Sequence, residues 1–143
     1  MTCDLVWRGP FDNDELAALG ADCFGARPAV RDQRAQMIEH SLGWVCARLS
    51  GSLVGFANVA WDGGEHAFLV DVMVALPHRR HGLATRIVAE ATQRACAAGC
   101  TWLHVDFEPH LRDFYWNACG FRPTDAGLIA LGEQPSATNG ASP

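Results

Sequence analysis

The residues best suited to chemistry lie in one run, Val70-Asp71-Val72-Met73-Val74-Ala75-Leu76-Pro77-His78-Arg79-Arg80-His81-Gly82-Leu83-Ala84-Thr85-Arg86-Ile87-Val88. An almost wholly apolar strand passes into a basic turn with one glycine, and helical periodicity starts directly behind it. Such a turn gathers backbone N–H groups, the positive end of a helix dipole and two or three guanidinium groups at one point, which suits a phosphate or pyrophosphate. Arg79, Arg80, His81, Gly82, Leu83, Ala84 and Thr85 are the expected anion-binding residues. Asp71 is the one charged residue of Phe68–Val74, and a carboxylate is costly to bury there unless something binds it. It is either a proton acceptor and amine anchor facing a cleft, or a structural carboxylate bonded to a neighbouring element. Glu65, His66, His104, Asp106 and Glu108 form a second tier; Trp102, His104, Asp106 and Glu108 share a strand face by period two. Glu108 and His110, beside that strand's end, stand nearest a cleft.

The spacing Arg79-x-x-Gly82-x-Ala84 resembles the Arg/Gln-x-x-Gly-x-Gly/Ala signature of the GNAT superfamily of N-acetyltransferases. A second block some thirty residues on, Leu111-Arg112-Asp113-Phe114-Tyr115-Trp116-Asn117-Ala118-Cys119-Gly120-Phe121, resembles that family's Phe-Tyr-x-x-x-Gly-Phe segment. The resemblance spans residues 3–131, with specific motifs in 66–121. It implies acetyl-CoA as co-substrate, its pyrophosphate in the turn and its pantetheine arm paired with the backbone of Val72 and Val74. It implies direct attack of a primary amine on the thioester, with Tyr115, the single tyrosine, protonating the departing thiolate. The alternative for Tyr115 is a core aromatic beside Phe114 and Trp116. The sequence departs from the family where an asparagine often precedes the last helix; Glu108-Pro109-His110 stands there. Ala84 replaces the second glycine, and Pro77 lies one residue late. A non-catalytic acyl-CoA-binding or sensory module is the alternative function; Tyr115 and Asp71 speak against it, because a binder needs neither.

Chain length and charge bound the partners. The 143 residues suit one domain, taken as 1–131, followed by an apolar-poor tail over 132–143 expected to be disordered. A net charge of −5 argues against nucleic acid, and no run approaches a membrane span or a secretion signal, so a cytoplasmic protein is expected. The acceptor is a small-molecule or protein amine, its identity not legible from these motifs. All eleven basic residues are arginine, in keeping with a GC-rich coding sequence. Six cysteines lack a Cys-x-x-Cys pair and a nearby histidine at ligand spacing, so free buried thiols and no metal site are expected. The resemblance also implies a possible homodimer through Leu128-Ile129-Ala130-Leu131, a buried edge strand being the other reading.

The elements that must carry these groups follow from period and punctuation. A strand is expected at 5–8, then a helix capped by Asp12 or Asn13 with Glu15 reaching back, broken by Gly25 and Pro28. A second helix over 29–41 precedes a hairpin, 44–49 and 53–61, about Ser50-Gly51-Ser52. Strand 66–74, helix 83–98, strand 101–107, helix 111–118 and a last strand 127–131 complete the order. The fold class is mixed α/β (α+β): a GNAT-like, mixed but mostly antiparallel central sheet flanked by helices on both faces.

Overall fold

A computed structural model describes residues 2–25 and 31–132. Five strands, β1 (Asp4–Trp7), β2 (Ser41–Leu49), β3 (Ser52–Trp61), β4 (His66–Val74) and β5 (Trp102–His104), form one sheet in sequential order. The first three junctions are antiparallel and β4–β5 is parallel, as a helical crossover between β4 and β5 requires. That crossover is α3 (Leu83–Ala97), whose Leu83, Ile87, Val88, Ala91 and Ala95 pack on Val45, Ala57, Val59 and Leu69. Close approach depends on Gly55, where a Cβ would lie 2.7 Å from Ile87 Cδ1. The opposite face is covered by α1 (Asn13–Phe24) and α2 (Gln33–His40), with Phe11, Leu16, Leu19 and Met37 against Trp44, Cys46, Phe56 and Met73. The expected sheet with helices on both faces is thus present.

Local chemistry sets most of the boundaries. Asp12 caps α1: its Oδ1 accepts from Glu15 N–H at 2.8 Å while Glu15 Oε2 accepts from Asp12 N–H at 3.1 Å. Asn13 instead bonds Asp32 and the N–H of Arg34, joining the starts of α1 and α2. The second helix is shorter than expected, because Asp32 caps it by accepting from Ala35 N–H and Ser41 already belongs to β2. Residues 29 and 30 of the expected helix, and Pro28, lie outside the described residues.

Three expectations need correction. Strand β5 stops at His104 rather than Phe107, since only three residues find partners on β4. The expected helix 111–118 is a 3-10 turn at Pro109–Leu111 followed by a π-helical turn at Asp113–Ala118, closed by Cys119 N–H on the Phe114 carbonyl at 2.9 Å. Segment 127–131 is no strand: Leu128, Ile129 and Leu131 are 79, 84 and 88% exposed, and no ladder among the described residues receives their backbone. All six thiols are free, but only Cys46 is buried; Cys96 is exposed and the others are half-buried. Gly132 is described, whereas 133–143 of the expected tail lie outside the described residues. Among the described residues no helix is long and apolar enough to cross a membrane.

Candidate functional site

The site begins where β4 and β5 part. They pair only from His66↔Trp102 to Phe68↔His104, so the edge of β4 from Leu69 to Val74 has no strand beside it among the described residues. A bulge helps turn that edge. Asn58 pairs with Val70 and Phe56 with Met73, so Asp71 and Val72 together face Ala57. Asp71 supplies the bulge conformation at φ +56°, a left-handed region that aspartate enters more readily than most residues. The extra residue reverses the strand's parity: Ala67 and Leu69 face the α3 core before it, Val72 and Val74 after it. Asp71 therefore sits at an exposed bend, where the sequence suggested a regular strand position.

Beyond the bulge the backbone of Val74 turns into the split. Ala75 N–H bonds the Val54 carbonyl at 2.8 Å, so the neighbouring Val74 groups point away from β3. Val72, two residues earlier, shares that orientation by strand alternation. The Val74 carbonyl is already taken by Arg79 Nε at 2.8 Å and the Cys23 thiol at 3.5 Å. Arg79, half-buried, also reaches Cys23 Sγ through Nη2 at 3.4 Å, so part of its guanidinium serves the strand end rather than an anion. Sequence reasoning missed this role because it depends on Cys23, fifty-six residues away.

The basic turn presents its expected donors. Arg80 at φ +65° and Gly82 at φ +81° curl the chain so that α3 starts at Leu83 with no side-chain cap. The first helical amide to find a backbone partner is Arg86, on the Gly82 carbonyl at 3.2 Å. The N–H groups of Leu83, Ala84 and Thr85 are left without a partner among the described residues, the usual state of an uncapped helix start, whose dipole favours negative charge. Arg80 and His81 stand exposed beside them; Leu83 is buried in the core, and Ala84 and Thr85 are half-buried.

Tyr115 lies on the π-helical turn, a helix form often found at functional sites. Its ring is 6% exposed, stacked on Phe107 at 4.6 Å and edge-on to Phe114 and Phe121. The hydroxyl has no hydrogen-bond partner among the described residues, yet no buried side-chain N or O atom among them is left unsatisfied, so it opens to solvent. Burial pushes the phenol up to about 12, with Cys119 and Asp106 adding to the effect. The ring is thus a core aromatic, and its oxygen is free to bond elsewhere.

The second-tier groups divide. His66 and His104 meet across the β4–β5 junction, Glu65 bonds Thr101 at 2.9 Å, and Asp106, Glu108 and His110 stand exposed. Among the described residues no three His, Cys, Asp or Glu side chains converge to hold a metal ion. Two shallow depressions are present, one of about 550 Å³ between β1 and α3 and one of about 480 Å³ between α1 and the β2–β3 turn that reaches Ala75 just past β4. The split itself is an open groove. Asn58, the one buried polar residue among the described residues, accepts from Ser41 Oγ at 2.6 Å next to the bulge; a lone amide in an apolar strand was its only sequence signal.

A free β4 edge leading into an uncapped, basic helix start matches a known family in sequence as well. The sequence model of the acetyltransferase (GNAT) family matches residues 13–121. The chain belongs to the GNAT acetyltransferase family. Solved GNAT-type structures share its fold at low identity. A GNAT family acetyltransferase from Streptococcus pneumoniae TIGR4 is 16% identical with a TM-score of 0.74, covering 93% of this chain and 100% of that one. A Trypanosoma brucei acetyltransferase is 19% identical with a TM-score of 0.74, covering 89% and 99%. The aminoglycoside N-acetyltransferase AAC(6')-Iy, solved with a CoA-linked acetylneamine bisubstrate analogue, is 17% identical with a TM-score of 0.74, covering 94% and 100%. No curated protein matches the chain.

Proposed function

We propose that this GNAT protein is a cytoplasmic N-acetyltransferase that moves the acetyl group of acetyl-CoA to a primary amine by direct attack on the thioester. The observation that carries the reading is the continuity of the free β4 edge with the uncapped start of α3. Acetyl-CoA, when bound, supplies an activated acyl group and a diphosphate. The amides of Leu83, Ala84 and Thr85, with Gly82, Arg80, His81 and the outer part of Arg79, would hold the diphosphate. The open backbone of Val72 and Val74 would hold the arm as an added strand, Val74 through its N–H because its carbonyl is occupied. Tyr115 keeps its proton across neutral pH and is suited to give it to a thiolate. Asp71, exposed at the bulge between edge and sheet, is suited to take the proton from the incoming ammonium. Self-association that covers Leu128, Ile129 and Leu131 is part of the same proposal.

Titration calorimetry with acetyl-CoA and CoA, followed by an amine panel read by thiol release, tests it. Binding together with amine-dependent thiol release supports an enzyme. Binding without release for any amine favours an acyl-CoA-binding module. No binding, or binding retained by Gly82→Glu, removes the reading, because that side chain brings bulk and negative charge into the turn.

A further inference from the structure

The closed end of the split holds a pair of histidines to which the proposed acetyl transfer assigns no role. His66 Nδ1 and His104 Nε2 are 2.7 Å apart across the β4–β5 junction. The two residues come from strands that pair at His66↔Trp102 and Phe68↔His104, so their backbones are held on a diagonal of the ladder. His66, Phe68, Trp102 and His104 share the sheet face turned away from α3, because Ala67 and Leu103 between them pack toward the α3 core. Phe68 stacks flat on the His104 ring, 4.7 Å between centroids at 18°, and limits its rotation. Neither imidazole is enclosed: His104 is exposed and His66 half-buried, so water reaches both. Asp62 adds negative charge beside them, its Oδ1 accepting from His66 N–H at 3.2 Å.

We propose that His66 and His104 together bind one first-row divalent transition-metal ion of the nickel, copper and zinc type. Two facing ring nitrogens form a hydrogen bond by sharing one proton between two lone pairs, and a metal ion is the other species that can occupy both lone pairs at once. Metal–imidazole bonds of about 2.05 Å at angles between square and tetrahedral set the two nitrogens roughly 2.9–3.4 Å apart. The rings meet nearly head on, with centroids 5.0 Å apart. Holding an ion therefore requires the 2.7 Å separation to open by a few tenths of an ångström and both rings to tilt off their shared axis, which the solvent access of the two side chains allows. Imidazole donors suit the later first-row ions, and water fills the remaining positions, giving a two-ligand site rather than a closed structural cage. A bound ion cross-links β4 to β5 where only three residue pairs join them, and so stiffens the vertex of the split.

The test uses the full chain, freed of metal by chelator and dialysis, titrated with nickel chloride in the calorimeter. Nickel is chosen because copper oxidises the six free thiols. The expected result is one ion per chain with micromolar affinity, a rise in thermal midpoint, and at least a tenfold loss of affinity in both His66→Ala and His104→Ala. Both positions are on the surface, and circular dichroism of each variant checks that the fold is kept. No binding at millimolar nickel overturns the proposal. So does binding that survives either substitution, which would assign the ion to thiols or to one histidine with another partner. The outcome does not depend on whether the protein binds CoA.

Discussion

Arg79 Nε donates to the carbonyl of Val74 at 2.8 Å, so a residue of the basic turn folds back to close the strand that leads into it. The strand end and the turn are therefore one unit. Arg79→Ala is expected to lower stability by about 1 kcal/mol, roughly 3–4 °C in thermal midpoint, through the bond it removes, the Val74 carbonyl keeping only the weaker Cys23 thiol. Arg80→Ala, whose side chain is exposed with no such bond, is expected to leave the midpoint unchanged and weaken CoA binding. Thermal melts and calorimetry on the two variants separate the roles; equal melts would remove the bracing role of Arg79.

The exposed oxygen on the buried ring of Tyr115 makes a second variant informative. Tyr115→Phe keeps every ring contact and removes a hydroxyl with no protein partner among the described residues, so stability is expected to stay within about 0.5 kcal/mol. Turnover is expected to fall about a hundredfold with CoA affinity unchanged. Because burial raises the phenol to about 12, its neutral form is kept below that pH and lost only above it. The wild-type rate is thus expected to show no falling limb from Tyr115 between pH 7 and 10. Unchanged turnover in the phenylalanine variant would leave Tyr115 a packing residue alone.

Asp71 joins two roles that different substitutions separate. Asp71→Asn tolerates φ +56° and removes the charge; it is expected to keep the bulge and to lower turnover, most strongly at low pH where the amine is protonated. Asp71→Val is β-branched and unsuited to that backbone, and is expected to cost about 1–2 kcal/mol. Full activity in the asparagine variant would reduce Asp71 to a conformational residue.

The Glu15–Arg48 pair sets part of the acid stability. Glu15 Oε1 and Oε2 accept from Arg48 Nη1 and Nη2 at 2.9 and 2.6 Å, tying α1 to β2. The side-chain bond from Arg48 holds the Glu15 carboxyl below its ordinary value, against a smaller opposing push from burial. A lowered folded-state value means that the stabilisation is present above the ordinary carboxylate range and disappears as pH falls through the folded value. Glu15→Gln is expected to lose about 1 kcal/mol at pH 7 and to narrow toward wild type below pH 4. Urea melts at pH 7 and pH 3.5 check this; a constant difference at both would show that the pair does not carry it.

Much of this molecule was legible because it is local. The Asp12–Glu15 capping box, the glycine of the anion turn and the apolar stripe of α3 each depend on residues within a few positions, where spacing alone determines which groups can meet. The two motifs flanking Arg79 and Tyr115 identified the family for the same reason. What the tertiary structure decided depends on partners distant in the chain. The bulge at Asp71 exists because β3 offers Ala57 alone against two residues of β4, a register no single strand contains. The apolar run Leu128–Leu131 has strand propensity but no ladder partner among the described residues, so it stays irregular and exposed. Arg79 reads in sequence as a phosphate ligand alone; that it also braces the strand end emerges only when Cys23 and the Val74 carbonyl are brought beside it. His66 and His104, thirty-eight residues apart, become a pair only because β5 returns parallel to β4 for three residues. Sequence determined most of the elements and the basic turn between β4 and α3; pairing register determined where the sheet opens and which side chains face one another, since those depend on contacts that close only when the chain folds.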